Sequence, residues 1–206
     1  MTTGTRTGAG AGTRQRHVDL TDHVDNLGIV VPRWPHGGGF NIWGNAFPAD
    51  ELPPAGGVCT VDGVSFSFPL AGNRDNIRCR GQVVALPPGH YDWLYVLAAA
   101  ERRTEDTVRL HYTDGSTAEQ WLRISDFWPD TAPRFGDVLA FRCSRMLYPR
   151  HPQPSMAPAI WQQRIPVSRP GEVHAVRLPD NPAMHVFALT AVTDAELPAE
   201  GWPDAD

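Results

Sequence analysis

No apolar pattern at helical spacing runs longer than about two turns in this chain, and that constrains the fold more than any other feature. Prolines and glycines, 20 and 19 of the 206 residues, cut the apolar stretches into short runs. Glu51-Leu52-Pro53-Pro54-Ala55-Gly56-Gly57 forbids any long helix by itself. What remains is strand-like. Val64, Phe66 and Phe68 alternate with serines, so one face is buried and the other polar. Asp62-Gly63 between Val61 and Val64 predicts a hairpin, and Asp114-Gly115 predicts a second. Tyr91 to Ala100 is nearly all apolar, which predicts a central strand covered on both faces.

The pattern predicts about nine or ten strands and an all-β fold, an antiparallel β-sandwich of jelly-roll type. A first strand is expected within Val24 to Val31, another across Ile77 to Leu86, and the last ones at 160–167, 172–178 and 184–192. Met146 to Pro158, rich in proline and basic residues, reads as a long irregular loop. The organisation expected is a disordered tail over 1–16, one sandwich domain over 17–194 and an acidic tail over 195–206.

A net charge of −5 without a basic cluster argues against binding nucleic acid through its phosphates. No apolar run is long enough to span a membrane. The first sixteen residues lack the apolar core of a signal peptide, so the chain as given reads as cytoplasmic, or as secreted if a signal lies upstream. Cys59, Cys79 and Cys143 cannot all pair with one another and show no CxxC spacing, so they are expected as buried thiols.

Common catalytic signatures are absent: no GxSxG, no HExxH, no phosphate loop and no dinucleotide fingerprint. The chemistry-bearing residues concentrate instead in loops. Gly37 to Pro48 packs four glycines, three aromatics and two asparagines into twelve residues. With His36 it offers Asn41, Trp43 and Asn45. Asp75, Asn76, Arg78 and Gln82 follow near the start of a strand. Asp126 and Trp128 come after the second hairpin, and His151 and Trp161 lie in or beyond the long loop. Loops cluster at the ends of a sandwich, so such residues can converge. Indole for the apolar face of a sugar ring, with carboxamide, carboxylate and guanidinium for its hydroxyls, is the usual chemistry of carbohydrate recognition.

Each residue also has an ordinary structural use. Trp43 and Phe47 could plug the end of the core, Asp75-Asn76 could form an Asx turn, and Asp126 could cap the turn before Trp128. Arg78, Arg80 and Gln82 share a parity that suits the solvated face of a strand. His17, His23 and His36 are too loosely spaced to define a metal site.

Taken in order, several segments carry a resemblance: Val18-Asp19-Leu20, Asn26 to Ile29, Gly37 to Pro48 with Glu51-Leu52-Pro53, Val61 to Phe66, Asp75-Asn76 through Gln82, Tyr112 to Ser116, Ser125 to Trp128, and His185 to Thr190. This set resembles the galactose-binding-like β-sandwich modules appended to actinobacterial glycoside hydrolases such as fucosidases and galactosidases. The resemblance covers roughly residues 17 to 193. It implies a jelly roll that binds a carbohydrate, or a glycosylated or aromatic small molecule, with no required cofactor. Such sandwiches often hold a structural calcium ion. Asp19, Asp22 and Asp25 offer oxygens for one, but their spacing matches no calcium loop and no metal ligand is assigned.

Jelly rolls of this kind also serve as small-molecule cyclases, which gives a second expectation. In it the Gly/aromatic stretch, Trp128 and Trp161 wall an apolar pocket. Asp126 or Asp75 acts as general acid there, with His151 as proton acceptor. A deep closed cavity would favour the enzyme and an open platform the binding module.

Overall fold

In the computed structural model, residues 14–70, 74–128 and 132–193 are described. They form sixteen strands and one short 3-10 turn, Ala49–Glu51. The strands are β1 (Arg14–His17), β2 (Ile29–Val30), β3 (Phe47–Pro48), β4 (Val58–Val61), β5 (Val64–Ser67), β6 (Ile77–Arg78), β7 (Val83–Gly89) and β8 (Trp93–Ala100). They continue with β9 (Thr104–Tyr112), β10 (Thr117–Ile124), β11 (Val138–Arg142), β12 (Met146–Tyr148), β13 (His151–Gln153), β14 (Ala159–Pro166), β15 (Val173–Arg177) and β16 (Met184–Thr193).

Two antiparallel sheets make the sandwich. One has six strands in the order β1-β16-β8-β14-β11, with β6 also on β16; the other runs β10-β9-β15-β7. The chain passes between the sheets from β6 to β7, β7 to β8, β8 to β9, β10 to β11, β14 to β15 and β15 to β16, a traffic compatible with a jelly roll. The core between them takes Leu94, Val96 and Ala98 from β8, Leu110 from β9, Leu122 from β10 and Trp161 from β14.

The six-stranded sheet is apolar on its other face as well. Tyr95, Leu97 and Ala99 of β8 meet a second core built by Phe40, Phe47, Phe66, Phe68, Met146 and Met156. These come from a third layer: the hairpins β4–β5 and β12–β13, the short parallel pair β2–β3 and the segments that flank them. This explains why β8 reads as continuously apolar, as expected for a strand with no solvated side. The layer is pinned by polar contacts too. Thr190 donates to the Ser65 carbonyl at 2.7 Å, and Gln15 Oε1 accepts from the Ser65 N–H at 2.7 Å. Arg145 pairs with Asp50 and Glu51 of the 3-10 turn.

Several local expectations change. Arg14, Gln15 and Arg16, read as the end of a tail, pair with Thr193, Val192 and Ala191 as part of β1; residues 1–13 and the 195–206 tail lie outside the described residues. Of Val24 to Val31 only Ile29 and Val30 form a strand. The 146–158 segment opens with a tight hairpin over 146–153, and Met146, Leu147 and Met156 are buried apolar anchors within the proline-rich run. The single strand expected across 77–86 is two strands on different sheets. The break falls at Gly81, whose φ of 75° an L side chain would resist. Arg78, Arg80 and Gln82 therefore do not line one strand face.

Candidate functional site

The site sits where β8 leaves the six-stranded sheet. Ala100 ends that strand, and Glu101 and Arg102 are the first charged residues after it. Asp126, just past β10, bridges to Ala100, and the Phe127 N–H donates to the Ala100 carbonyl at 3.0 Å. The Asp126 carboxylate accepts from the Trp128 N–H at 3.0 Å, which turns the chain sharply and half-exposes the indole.

The opposite wall is the turn over residues 40–45. Asn41 Oδ1 accepts from the N–H of Trp43 at 3.1 Å and of Asn45 at 3.2 Å, and the Phe40 N–H donates to the Asn45 carbonyl at 2.6 Å. Gly44 closes the turn at φ 72°, with Pro149 packed where a side chain would go. Phe40 points inward, 4.3 Å from the His185 ring and 5.0 Å from that of Phe127. Trp43 points outward and is 63% exposed. Tyr148 on β12 is brought alongside by the pairing of Ala46 with Leu147.

Between these walls lies a half-open cleft of about 660 Å³, lined by Asn41, Trp43, Asn45, Glu101, Arg102, Asp126, Phe127, Trp128 and Tyr148. Aromatic rings dominate it. Burial raises the Asp126 carboxyl above its ordinary range, against the opposing pull of the Trp128 N–H and Arg102. Burial also works to raise Glu101, but His185 and Arg78 together outweigh it and hold that carboxyl low. Arg78 reaches Glu101 at 2.7 Å, and the fully buried His185 lies 3.4 Å from the same oxygen. His185 Nδ1 lies 2.9 Å from Asn76 Oδ1, and burial keeps this imidazole's pKa below its usual value. Two polar atoms of the cleft residues, Asn41 Nδ2 and Asn45 Oδ1, are buried without a partner among the described residues. Such atoms cost about 1–3 kcal/mol each in native proteins.

Five expected site residues thus converge: Asn41, Trp43, Asn45, Asp126 and Trp128. Arg78 and Asn76 stand one step behind, acting on Glu101 directly and through His185. Asp75 is elsewhere. It is 1% exposed and accepts from the Gly28 and Ile29 N–H groups at 2.9 Å each and from Asn76 at 2.7 Å. Its pKa is pushed up to about 6 by burial, but it clamps backbone rather than facing the cleft. Gln82 closes the turn at Gly81 by bonding the Arg78 carbonyl and the Arg80 N–H. His36 holds the Tyr148 carbonyl at 3.0 Å and lines a separate depression with Val30 and Arg33. His151 is exposed and stacks on Tyr148, with ring centroids 5.4 Å apart, so it approaches the cleft only through that ring. Trp161, expected in a pocket wall, is 1% exposed in the core.

Glu101, Arg102 and Tyr148 were not anticipated. The usable signal for Glu101 was its place as the first charge after a doubly buried strand. Nothing in the sequence singled out Tyr148.

Among the described residues no group of three or more His, Cys, Asp or Glu side chains is placed to hold a metal ion. The Asp19 carboxylate is taken by Thr21 and that of Asp25 by Arg78 N–H and Gln82.

Residues 14–195 match the model of a family described as the AziU2-like beta-sandwich domain. No curated protein matches the chain. The family match agrees with the β-sandwich and lends nothing to a galactose-binding-like or glycoside hydrolase-associated identity.

Proposed function

We propose, from the premise that this chain belongs to the AziU2-like β-sandwich domain family, that it binds a ring-bearing polar small molecule, a carbohydrate or a glycosylated or aromatic compound, without transforming it. The observation that carries this reading is the pair Trp43 and Trp128, 63% and 41% exposed on walls of one cleft. Burying an indole stabilises a fold by roughly 2–3 kcal/mol, so two left exposed at one site mark a surface prepared for a partner ring. The half-open shape also suits docking better than enclosure.

Titration of tryptophan fluorescence with methyl and aryl glycosides tests it. Saturable changes weakened about tenfold or more in Trp43→Ala and in Trp128→Ala are expected. No saturation by any probe, or unchanged affinity in both variants, overturns it.

One observation favours the alternative, an acid-catalysed small-molecule enzyme on the same scaffold. Asp126 is a half-buried carboxyl with a raised pKa among aromatic rings, the environment that suits a general acid. Its expected partner His151 lies outside the cleft, behind Tyr148. Product formation lost in Asp126→Asn with ligand affinity retained would favour that reading over simple binding.

A further inference from the structure

Resting on the reading of the cleft as a binding site, we propose that Asn41 and Asn45 select a neutral or cationic ligand whose edge carries an adjoining hydrogen-bond donor and acceptor. Sugar hydroxyls and the N–H and C=O of an amide share that chemistry. Anionic ligands are excluded.

The two carboxamides are 4% and 3% exposed, line the cleft and belong to one turn. The orientation of Asn41 is fixed, because its Oδ1 already accepts two backbone N–H groups. Its Nδ2 is therefore a donor held in place with no acceptor in the protein, among the described residues. Asn45 Oδ1 is a buried acceptor with no donor in the protein, among the described residues. A ligand that satisfies both must offer an acceptor to the first and a donor to the second. A hydroxyl pair or an amide does so. An ether or ketone offers acceptors alone, as do a carboxylate and a phosphate, and leaves Asn45 facing a lone pair. Selection thus comes from the turn that also presents Trp43. Rings set affinity and the carboxamides set identity.

The test is calorimetric titration of the full chain with paired probes: methyl galactoside against methyl galacturonate and galactose 6-phosphate, and benzamide against benzoate. The neutral member of a pair is expected to bind at least about tenfold more tightly than its anionic counterparts. The galactoside and benzamide arms distinguish a hydroxyl edge from an amide edge. Asn41→Asp keeps the oxygen that builds the turn and exchanges the free donor for a charged acceptor; Asn45→Ala removes the whole carboxamide, its free acceptor included. Each is expected to weaken the neutral probe about tenfold or more, with the melting transition of the free protein retained.

If Trp43→Ala weakens binding while Asn41→Asp and Asn45→Ala bind like the wild type, this inference falls and the binding reading stands. Anionic probes that bind as tightly as neutral ones have the same effect. If the wild type binds no probe, both fall. Should Asn41→Asp fail to fold, Asn45→Ala and the wild-type probe series still decide.

Discussion

The indole of Trp161 donates its Nε1–H to the backbone carbonyl of Asp126 at 2.9 Å. A residue expected to wall the pocket instead sits in the core and fixes, from behind, the backbone that carries the cleft's half-buried carboxyl. Trp161→Phe keeps most of the packing and strands that carbonyl. A loss of about 1–3 kcal/mol in urea unfolding is expected. Because the Asp126-Trp128 turn is released, weaker binding of cleft probes should accompany it. Unchanged stability would show that the bond is not a determinant of the turn.

Asp75 makes stability depend on pH in an uncommon direction for a carboxylate. Its folded pKa of about 6 lies above the unfolded 3.8, so the folded state binds the proton more tightly. The contribution is fully present below about pH 4 and is lost as the pH rises through about 6. From the size of the shift it is of order 2–3 kcal/mol. Asp75→Asn removes this dependence. It should also lower stability at pH 7, since one of the two oxygens that accept backbone N–H groups is replaced by a donor. Unfolding curves of both proteins at intervals from pH 4 to 7 check the difference between them; parallel profiles would refute the assignment.

Arg78 and Glu101 form a largely buried ion pair at 2.7 Å, with side chains 19% and 16% exposed. Arg78→Met leaves the carboxylate with only the buried His185 beside it. A destabilisation of about 3 kcal/mol is expected at pH 7. The Glu101 titration midpoint, followed by carbon NMR of the side chain, should move up from its depressed position toward or above the ordinary glutamate range. A midpoint that stays low would mean that His185 rather than Arg78 holds the charge.

The three thiols are free, and burial raises the pKa of each, pushing Cys143 up to about 12. Alkylation requires thiolate and access. Iodoacetamide on the native protein at pH 8 should therefore modify half-buried Cys59 slowly and leave Cys79 and Cys143 intact until denaturant is added. Mass spectrometry of the peptides reads this directly. Rapid native labelling of Cys79 would contradict its burial.

Much of the framework was legible because it is local. The Val64/Phe66 alternation, the Asp62-Gly63 turn with φ of 44° and 75°, and the apolar run ending at Ala100 each depend on neighbours in sequence. The rest of the third layer was not legible, since β2, β3, β12 and β13 are two or three residues long and owe their shape to the sheet beneath them. The same division runs through the site. Asn41, Trp43 and Asn45 stand out by composition, whereas Trp161 and Trp128 look alike in sequence. Only the register of β14, which points Trp161 between the sheets, separates them. Arg78 and Gln82 misled for a related reason: the crossing at Gly81 breaks a parity that holds only along an unbroken strand.

The six-stranded sheet acts as a party wall between two cores, and the cleft straddles its end. One wall, carrying Asp126 and Trp128, belongs to the sandwich; the other, carrying Trp43 and Tyr148, belongs to the covering layer. An occupant would therefore act as a staple across two units that can loosen separately. It should slow amide hydrogen exchange in β12 and in the 40–45 turn more than in the four-stranded sheet.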